Sequence, residues 1–216
     1  MKRTKRLQKI AEMVKHDTVA DIGTDHAYLP IYLVQRGMAK VLATDVNPGP
    51  LASARRNIVD YGPIMGQVST QLCDGLDDVN PAHWKTCVIS GMGGGLIIDI
   101  LRKNLAVAQG FRQLLLSPQR DVGDVRIFLH QNGFRIDDEV FLEEKGKFYN
   151  ILDVSPGIEA PYDEKGYAFG KILLDKKCEV LKKFVSLEIE KIKKIGRDEL
   201  EKHLQLHEEV LAWLSK

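Results

Sequence analysis

The segment Val19-Ala-Asp-Ile-Gly-Thr-Asp-His-Ala-Tyr-Leu-Pro30 decides how the chain folds. Its first four residues form a short, mostly apolar run in which two residues are β-branched, as expected of a buried parallel strand. Gly23 then allows a tight turn and the close approach of a ligand to the backbone. From Ala27 the pattern becomes helical, with Pro30 in the first turn, where a missing N–H costs little. A strand that passes through a glycine turn into a helix predicts a ligand site at the carboxyl edge of a parallel sheet.

The turn lacks the glycines of a dinucleotide-binding fingerprint. Thr24, Asp25 and His26 follow Gly23 at positions where G-x-G-x-x-G requires further glycines, and the Asp25 carboxylate would lie close to a pyrophosphate. A phosphate-free cofactor with cationic groups fits better, and S-adenosylmethionine has an ammonium and a sulfonium. The alternative is that Gly23 only makes a turn and that Asp25 caps the next helix.

Carboxylates also follow the next two predicted strands. The strand at 41–44 delivers Asp45, 22 residues beyond the glycine turn, and dinucleotide folds place a ribose-binding acid at about this spacing. The strand at 68–72 ends in Cys73-Asp74-Gly75, where the glycine would let a flat ring approach the backbone. We therefore expect Asp45 near a ribose and Asp74 near an adenine.

A glycine-rich turn follows the predicted strand at 87–90. The segment Gly91-Met92-Gly93-Gly94-Gly95 has four glycines in five residues before a predicted helix at 96–102. Such an open backbone is typical of the second half of a ligand-binding cleft, and a flexible connector is the alternative.

The order of the predicted elements indicates an α/β fold. Five strand-containing units end with a strand at 114–116 and a helix at 122–131, and the runs 134–144 and 147–154 are separated only by Lys145-Gly146, as in a hairpin. This order matches the Rossmann-like sheet of class I methyltransferases, parallel with an antiparallel last strand, better than half of a dehydrogenase. We expect a domain at 1–156 that starts with a basic helix at 4–15. Residues 157–216 would be a linker and a small C-terminal α-helical, coiled-coil-like hairpin.

Composition argues against several classes of protein. The chain has 216 residues, of which 44% are hydrophobic and 28% charged. It has no apolar run near the roughly 20 residues that span a bilayer and no signal region, so we expect a soluble, cytoplasmic protein. Cys73, Cys87 and Cys178 are widely spaced and predict reduced core residues. His203 and His207 lie one helical turn apart without a third ligand, so no metal site is predicted.

The charges are unevenly distributed along the chain. Residues 1–16 carry a net charge of +5, residues 171–216 carry +2, and the middle carries −6. A basic N-terminal arm on an acidic body suits a polyanionic partner and a small polar cofactor. The same charges are also compatible with a solvated helix face.

Several motifs together resemble the bacterial family of tRNA adenine N1-methyltransferases that modify adenine 22 of tRNA (TrmK). The resemblance covers nearly the full length and rests on residues 21–30, Asn47 with Gly49-Pro50, Asp74-Gly75-Leu76, Gly91-Met-Gly-Gly94, Arg126 and the basic C-terminal hairpin. The segments Asp-His-Ala-Tyr-Leu-Pro and Gly-Met-Gly-Gly are specific only in combination. One departure is Ser117-Pro118-Gln119, where the family usually has Gln-Pro-Asn after strand five.

The resemblance implies methyl transfer from S-adenosyl-L-methionine to N1 of adenine 22 in tRNA. The implied cofactor-binding residues are Asp21, Gly23, Thr24, Asp25, His26, Asp45, Val46, Asn47, Asp74, Gly75, Ser90, Gly91 and Gly93. The residues expected around the reacting adenine are Asp25, His26, Tyr28, Gly91 and Met92, with His26 acting either as a base or as a hydrogen-bond donor. The residues expected to contact tRNA are Lys2, Arg3, Lys5, Arg6, Lys9, Arg120 and Arg126.

Two other functions stay open at this point: methylation of a small molecule and non-catalytic RNA binding. We expect no association with DNA or membranes and infer no obligate protein partner.

Overall fold

The computed structural model describes residues 4–62, 64 and 66–216. Within these residues the strands are β1 (Thr18–Ile22), β2 (Lys40–Asp45), β3 (Val68–Leu72), β4 (Thr86–Ser90), β5 (Gln113–Ser117), β6 (Phe134–Glu144) and β7 (Lys147–Pro156). The helices are α1 (Lys5–Met13), α2 (Tyr28–Gln35), α3 (Pro48–Asp60), α4 (Gly94–Lys103), α5 (Leu105–Gly110), α6 (Val122–Gln131), α7 (Lys171–Asp175), α8 (Glu179–Ile195) and α9 (Glu201–Leu214). A π-helix at Gly166–Gly170 precedes α7, and a 3₁₀ turn at Asp198–Leu200 precedes α9.

The strands of the described residues form one sheet in the order β3-β2-β1-β4-β5-β7-β6. The strands from β3 to β5 in this order pair in parallel, and β7 lies antiparallel between β5 and β6. The predicted class I methyltransferase sheet with its antiparallel last strand is therefore confirmed. The order reverses between β1 and β4, which is where open α/β sheets bind ligands.

The side chains of β1 alternate between the two faces of the sheet. Ala20 and Ile22 belong to a hydrophobic cluster with residues of α4 and α6, whereas Val19 packs with residues of α1, α2 and α3. Because successive strand residues point to opposite faces, Asp21 shares the face of Val19. Asp21 therefore lies near the carboxyl end of β1 on the side that α1 covers.

Both ends of α1 are fixed to the sheet. At its C-terminal end, the Gln113 side chain donates to the Met13 carbonyl at 2.8 Å and accepts from the Lys15 N–H at 3.0 Å. At its first residue, the Lys5 N–H donates to Glu144 Oε1 at 3.0 Å. Since Gln113 begins β5, the N-terminal end of α1 lies toward the carboxyl edge of the sheet.

The C-terminal helices are joined to the sheet by an irregular segment, residues 157–170, which we call the crossing segment. The Glu159 carboxylate accepts from the Ile136 N–H at 2.9 Å and from the Tyr162 hydroxyl at 2.8 Å. The α8 and α9 helices form the predicted hairpin, whose apolar cluster includes Phe141 and Phe148 of β6 and β7. The division of the chain after residue 156 stays a prediction.

Three local features of the structure were not predicted. The first helix of the hairpin is preceded by a separate short helix, because α7 ends at Asp175 and Lys177 adopts a left-handed backbone with φ of 51° before α8 begins. The α5 helix was not predicted, and β3 and β4 are joined by turns and not by a helix.

Among the described residues, no helix combines the length and hydropathy needed to cross a bilayer.

Candidate active site

A cleft of about 320 Å³ opens at the carboxyl edge of the sheet, where the turns after β1, β4 and β5 meet α1. We call it the carboxyl-edge cleft, and it is lined by Arg6, Leu7, Asp21, Gly23, Thr24, Asp25, His26, Tyr28, Leu29, Ser90, Gly91 and Gln119. The structure thus brings together the predicted residues of the first turn with Ser90 and Gly91.

The turn after β1 is organised by a buried carboxylate. Asp21 is 4% exposed, and its Oδ2 accepts a hydrogen bond of 2.7 Å from the Thr24 hydroxyl. Burial raises the pKa of Asp21 to about 6, against the opposing effect of the Thr24 hydrogen bond. Gly23 has a φ of +72°, which favours glycine. The Thr24 N–H donates to the Thr44 carbonyl at 2.8 Å, so the turn is tied to β2.

Asp45 connects the turns that follow β1 and β2. Its Oδ2 accepts from the Asp25 N–H at 3.3 Å, and its Oδ1 accepts from the Asn47 N–H at 2.9 Å. Asp45 is buried, whereas the neighbouring Val46 is 56% exposed. The structure therefore places Asp45, Val46 and Asn47 beside the first turn.

Asp25, His26 and Tyr28 form the exposed rim of this turn. The His26 Nε2 lies 3.5 Å from Asp25 Oδ2, and the His26 and Tyr28 rings are 5.4 Å apart. Asp25 and Ala27 have φ values of 54° and 55°, a conformation that is uncommon outside glycine. The Asn57 side chain donates to the His26 carbonyl at 2.9 Å and supports the turn. Asp25 makes no side-chain hydrogen bond to the α2 backbone within the described residues, so the capping alternative is wrong.

The glycine-rich turn after β4 is shorter than predicted. Gly94 and Gly95 form the first turn of α4, and only residues 91–93 are non-helical. A Cβ at Gly94 would lie 2.6 Å from the Asp121 carbonyl oxygen, so glycine is required for this contact. The Gln119 N–H donates to the Met92 carbonyl at 2.8 Å, which joins the turns after β4 and β5.

The side chain of Met92 explains why residue 23 is a glycine. A Cβ at Gly23 would lie 2.1 Å from Met92 Cε, so the methionine side chain covers Gly23 directly. The close approach predicted for a ligand at Gly23 is thus made by Met92. Gly93 plays a similar role, because a Cβ there would lie 3.0 Å from Arg120 Nε.

Asp74 and Gly75 lie at the end of β3, outside the lining of the carboxyl-edge cleft. Asp74 is paired with Lys103 at 2.7 Å, and its side chain is 63% exposed. A Cβ at Gly75 would lie 3.1 Å from Ile100 Cγ2, so that side of the glycine faces α4. Their assignment to the adenine stays a prediction.

Arg6 is one of the residues expected to contact tRNA, but its side chain points into the carboxyl-edge cleft and not outward from α1. Its guanidinium lines the carboxyl-edge cleft, with Nη2 3.5 Å from the position of a Cβ at Gly91. It also lies over the Tyr149 ring, with Cζ 5.1 Å from the ring centroid. The physical reason is that Ile10 and Ala11 bury one side of α1, which turns Arg6 toward the edge of the sheet.

Arg126 was predicted to contact tRNA, and the structure contradicts this. Its side chain is 1% exposed and pairs with Glu139 at 2.7 Å. It also donates to the Tyr167 carbonyl at 2.7 Å. Arg126 therefore fixes the crossing segment to α6, and its buried guanidinium cannot reach a phosphate. Glu139 is also buried, and burial raises its pKa while Arg126 opposes the rise.

Three of the other predicted tRNA contacts, Lys5, Lys9 and Arg120, have accessible side chains. Lys5 is exposed, Lys9 pairs with Glu12 at 3.2 Å, and the Arg120 side chain is 80% exposed. Lys2 and Arg3 lie outside the described residues.

Sequence reasoning missed Gln119 and the position of Arg6. Gln119 lines the cleft, and its Nε2 lies 3.9 Å from the position of a Cβ at Gly91. Its place directly after β5 was the available signal, since loops at the carboxyl ends of strands carry ligand contacts. Ser117 is instead buried and donates to the Asn150 carbonyl at 2.8 Å.

Two further observations concern other parts of the described residues. No cluster of three or more His, Cys, Asp or Glu side chains that could hold a metal is found in the described part of the chain. A larger groove of about 660 Å³ lies between residues 159–166 and α9, and none of its lining residues belongs to the turns after β1, β4 or β5.

Comparison with known proteins identifies related sequences. Residues 3–152 match a family model described as a methyltransferase domain. The tRNA (adenine(22)-N(1))-methyltransferase of Bacillus subtilis is 35% identical over 176 residues, which are 80% of this chain and 74% of that protein.

Solved structures match over nearly the whole chain. Streptococcus pneumoniae Sp1610 in complex with S-adenosyl-L-methionine has a TM-score of 0.90 and 34% identity, covering 97% of this chain and 100% of that one. The Bacillus subtilis m1A22 tRNA methyltransferase TrmK has a TM-score of 0.85 and 30% identity, covering 97% of this chain and 99% of that one.

Proposed function

The chain belongs to the tRNA (adenine(22)-N(1))-methyltransferase family, and from this premise we propose how its residues perform that reaction. The enzyme transfers a methyl group from S-adenosyl-L-methionine to N1 of adenine 22 in tRNA. The observation that carries this function is the similarity to the Bacillus subtilis enzyme over most of both chains. Methylation of a small molecule and non-catalytic RNA binding are less favoured, because the similar Bacillus subtilis protein is a tRNA methyltransferase.

The charges of the carboxyl-edge cleft fit S-adenosyl-L-methionine. Asp21 and Asp25 would face its ammonium and sulfonium groups, which a phosphate-bearing cofactor lacks. Asp45 would accept hydrogen bonds from the ribose, because its carboxylate joins the two turns that border the cleft. The exposed Val46 would pack on the adenine, and Asp74 would accept from its amine.

The target adenine would enter between the rim and the glycine-rich turn. A base in a folded tRNA must leave its stack to reach a methyl donor. The His26 and Tyr28 rings, 5.4 Å apart, offer a partly exposed aromatic surface beside the cleft. The backbone of Gly91 and Met92 forms the opposite side, since Gly91 lines the same cleft.

The reaction requires alignment more than proton transfer. S-adenosyl-L-methionine, when bound, supplies a methyl group that its sulfonium already activates. The lone pair of adenine N1 is the nucleophile, so the residues of the site hold the base in line for displacement. Positive charge develops on the ring, and Asp25 or a backbone carbonyl of the 91–93 turn would accept a hydrogen bond from the adenine amine. His26 would orient the base as a donor or act as a base toward the same amine.

The tRNA would be held by cations around the cleft. Lys5 and Lys9 on α1 and Arg120 beside Gly93 are accessible to phosphates. Such contacts position a folded RNA by shape and charge. We propose that the protein acts in the cytoplasm, where tRNA is found, and that it needs neither DNA, nor a membrane, nor an obligate protein partner.

Nucleoside analysis of methylated tRNA tests this function. Unmodified tRNA transcripts are incubated with the chain and S-adenosyl-L-methionine, digested, and analysed by mass spectrometry. A matched transcript with guanine at position 22 serves as the control. We expect 1-methyladenosine only in the transcript with adenine at position 22. Its absence from both transcripts would refute the reaction, and its presence in both would refute the position.

A further inference from the structure

The Arg6 side chain is held in the wall of the carboxyl-edge cleft. The hydrogen bonds at both ends of α1 fix the helix to β5 and to the β6–β7 hairpin. The Tyr149 ring supports the guanidinium from one side, with 5.1 Å between Cζ and the ring centroid. On the other side lies Gly91, where the absence of a Cβ leaves room for the guanidinium, 3.5 Å from the Cβ position.

Within the described part of the chain, this guanidinium contacts the Tyr149 ring but has no charged or hydrogen-bonding partner. Across residues 4–62, 64 and 66–216, no carboxylate lies within ion-pair distance of Arg6, and no acceptor forms a hydrogen bond with its side chain. A guanidinium has five N–H donors in a planar fork that matches a carboxylate. A fixed, partly buried guanidinium without an acceptor indicates a ligand that supplies one.

The charges of the cleft restrict what that ligand can be. Among the described residues that line it, Asp21 and Asp25 are carboxylates and Arg6 is the only Lys or Arg side chain. A tRNA phosphate that reached Arg6 here would come close to both carboxylates. An amino-acid moiety fits better, because its ammonium can face the carboxylates while its own carboxylate faces the guanidinium.

We propose that Arg6 binds the α-carboxylate of the methionine moiety of S-adenosyl-L-methionine. This inference rests on the proposed function and reassigns Arg6 from tRNA binding to cofactor binding. The Arg6 fork fixes the far end of the methionine chain, and the Asp21 side fixes its ammonium. Two fixed points set the direction of the sulfonium toward the target base. S-adenosyl-L-homocysteine carries the same carboxylate and is held in the same way.

Calorimetric titration with a pair of ligands tests the contact. The wild type, Arg6→Gln and Arg6→Lys are titrated with S-adenosyl-L-methionine and with decarboxylated S-adenosyl-L-methionine, which lacks only the carboxylate. A charge-assisted hydrogen bond of this kind is worth roughly ten- to hundred-fold in affinity. We expect Arg6→Gln to lose about this factor for the complete cofactor and less than about three-fold for the decarboxylated one. The affinity of Arg6→Lys for the complete cofactor should lie between those of the wild type and Arg6→Gln, because an ammonium keeps the charge but lacks the planar fork of N–H donors.

Arg36→Gln is the matched control, because it removes the same charge from an exposed position at the far end of α2. Thermal unfolding of each variant monitors folding. If Arg6→Gln loses the same factor of affinity for both ligands, or no affinity for either, the inference is overturned while the proposed function stands. An unchanged cofactor affinity with a smaller salt dependence of tRNA binding would assign Arg6 to a phosphate instead. A wild type that binds neither ligand would refute the proposed function and the inference together.

Discussion

Replacement of Asp21 by asparagine should stabilise the ligand-free enzyme at neutral pH and weaken cofactor binding. The Asp21 carboxylate is 4% exposed, and burial raises its pKa to about 6 from an ordinary value of 3.8. Above pH 6 the folded protein therefore keeps a charge in a site that disfavours it. Asparagine is nearly isosteric, carries no charge, and can still accept the 2.7 Å hydrogen bond from the Thr24 hydroxyl through its amide oxygen.

The size and sign of the effect follow from proton linkage. The folded state binds the Asp21 proton more tightly than the unfolded state, so the unfolding free energy falls as the pH rises from about 4 through 6. The difference between a pKa of 3.8 and one of about 6 corresponds to about 3 kcal/mol once both states are ionised, at pH 7 and above. Well below pH 3.8 both states are protonated, and the contribution vanishes.

Urea unfolding at several pH values between 4 and 8 measures this difference. We expect Asp21→Asn and the wild type to have similar unfolding free energies at pH 4, and the variant to be more stable by about 3 kcal/mol at pH 7. Asp60→Asn, which removes an exposed carboxylate at the end of α3, is the control for an unspecific charge effect. If the difference in unfolding free energy between the variant and the wild type does not grow with pH, or if the variant is less stable at pH 7, the ionised Asp21 does not destabilise the ligand-free protein and our explanation is refuted.

Three other substitutions test the remaining assignments. Gly23→Ala introduces a Cβ 2.1 Å from Met92 Cε at a φ of +72°, so it should lower the melting temperature and the cofactor affinity. Adding Met92→Ala should recover part of both losses. If nothing is recovered, Met92 is not the obstacle. Arg126→Gln leaves the Glu139 carboxylate buried without its cation and should cost about 3–5 kcal/mol in urea unfolding, and a near-neutral effect would contradict the buried pair. Lys5→Gln should leave unfolding unchanged and lower the slope of log tRNA affinity against log salt by about one, whereas an unaltered slope would exclude a phosphate contact.

Local patterns in the sequence were sufficient to predict the sheet and most of the first turn. The short, mostly apolar run at 19–22 predicted β1, because buried parallel strands are built of such residues. The acid that follows β2 was found because its spacing from Gly23 reflects one strand–helix unit. The first turn of α4 was missed because glycine costs little at the start of a helix, so Gly94 could not be distinguished from the open turn before it.

Long-range pairing could not be predicted in the same way. Arg126 and an exposed arginine look alike in sequence, and only the fold brings Glu139 of β6 against α6. A basic residue in a helix next to strand-like runs carries no mark of its partner. The wrong assignment of Arg126 to tRNA followed from this limit.

The position of Arg6 depends on two periodicities that the sequence shows only separately. Alternation along β1 puts Asp21 on the face of Val19, which α1 covers, and the apolar stripe of α1 turns Arg6 toward the carboxyl edge above it. Each pattern leaves two orientations open, and the choice is made only when α1 docks with its first turn at that edge. The consequence is that the Arg6 guanidinium from the first turn of α1 and the Asp21 carboxylate from β1 face one cleft. A zwitterionic amino-acid group requires both charges at a fixed separation, and neither the strand nor the helix could provide them alone.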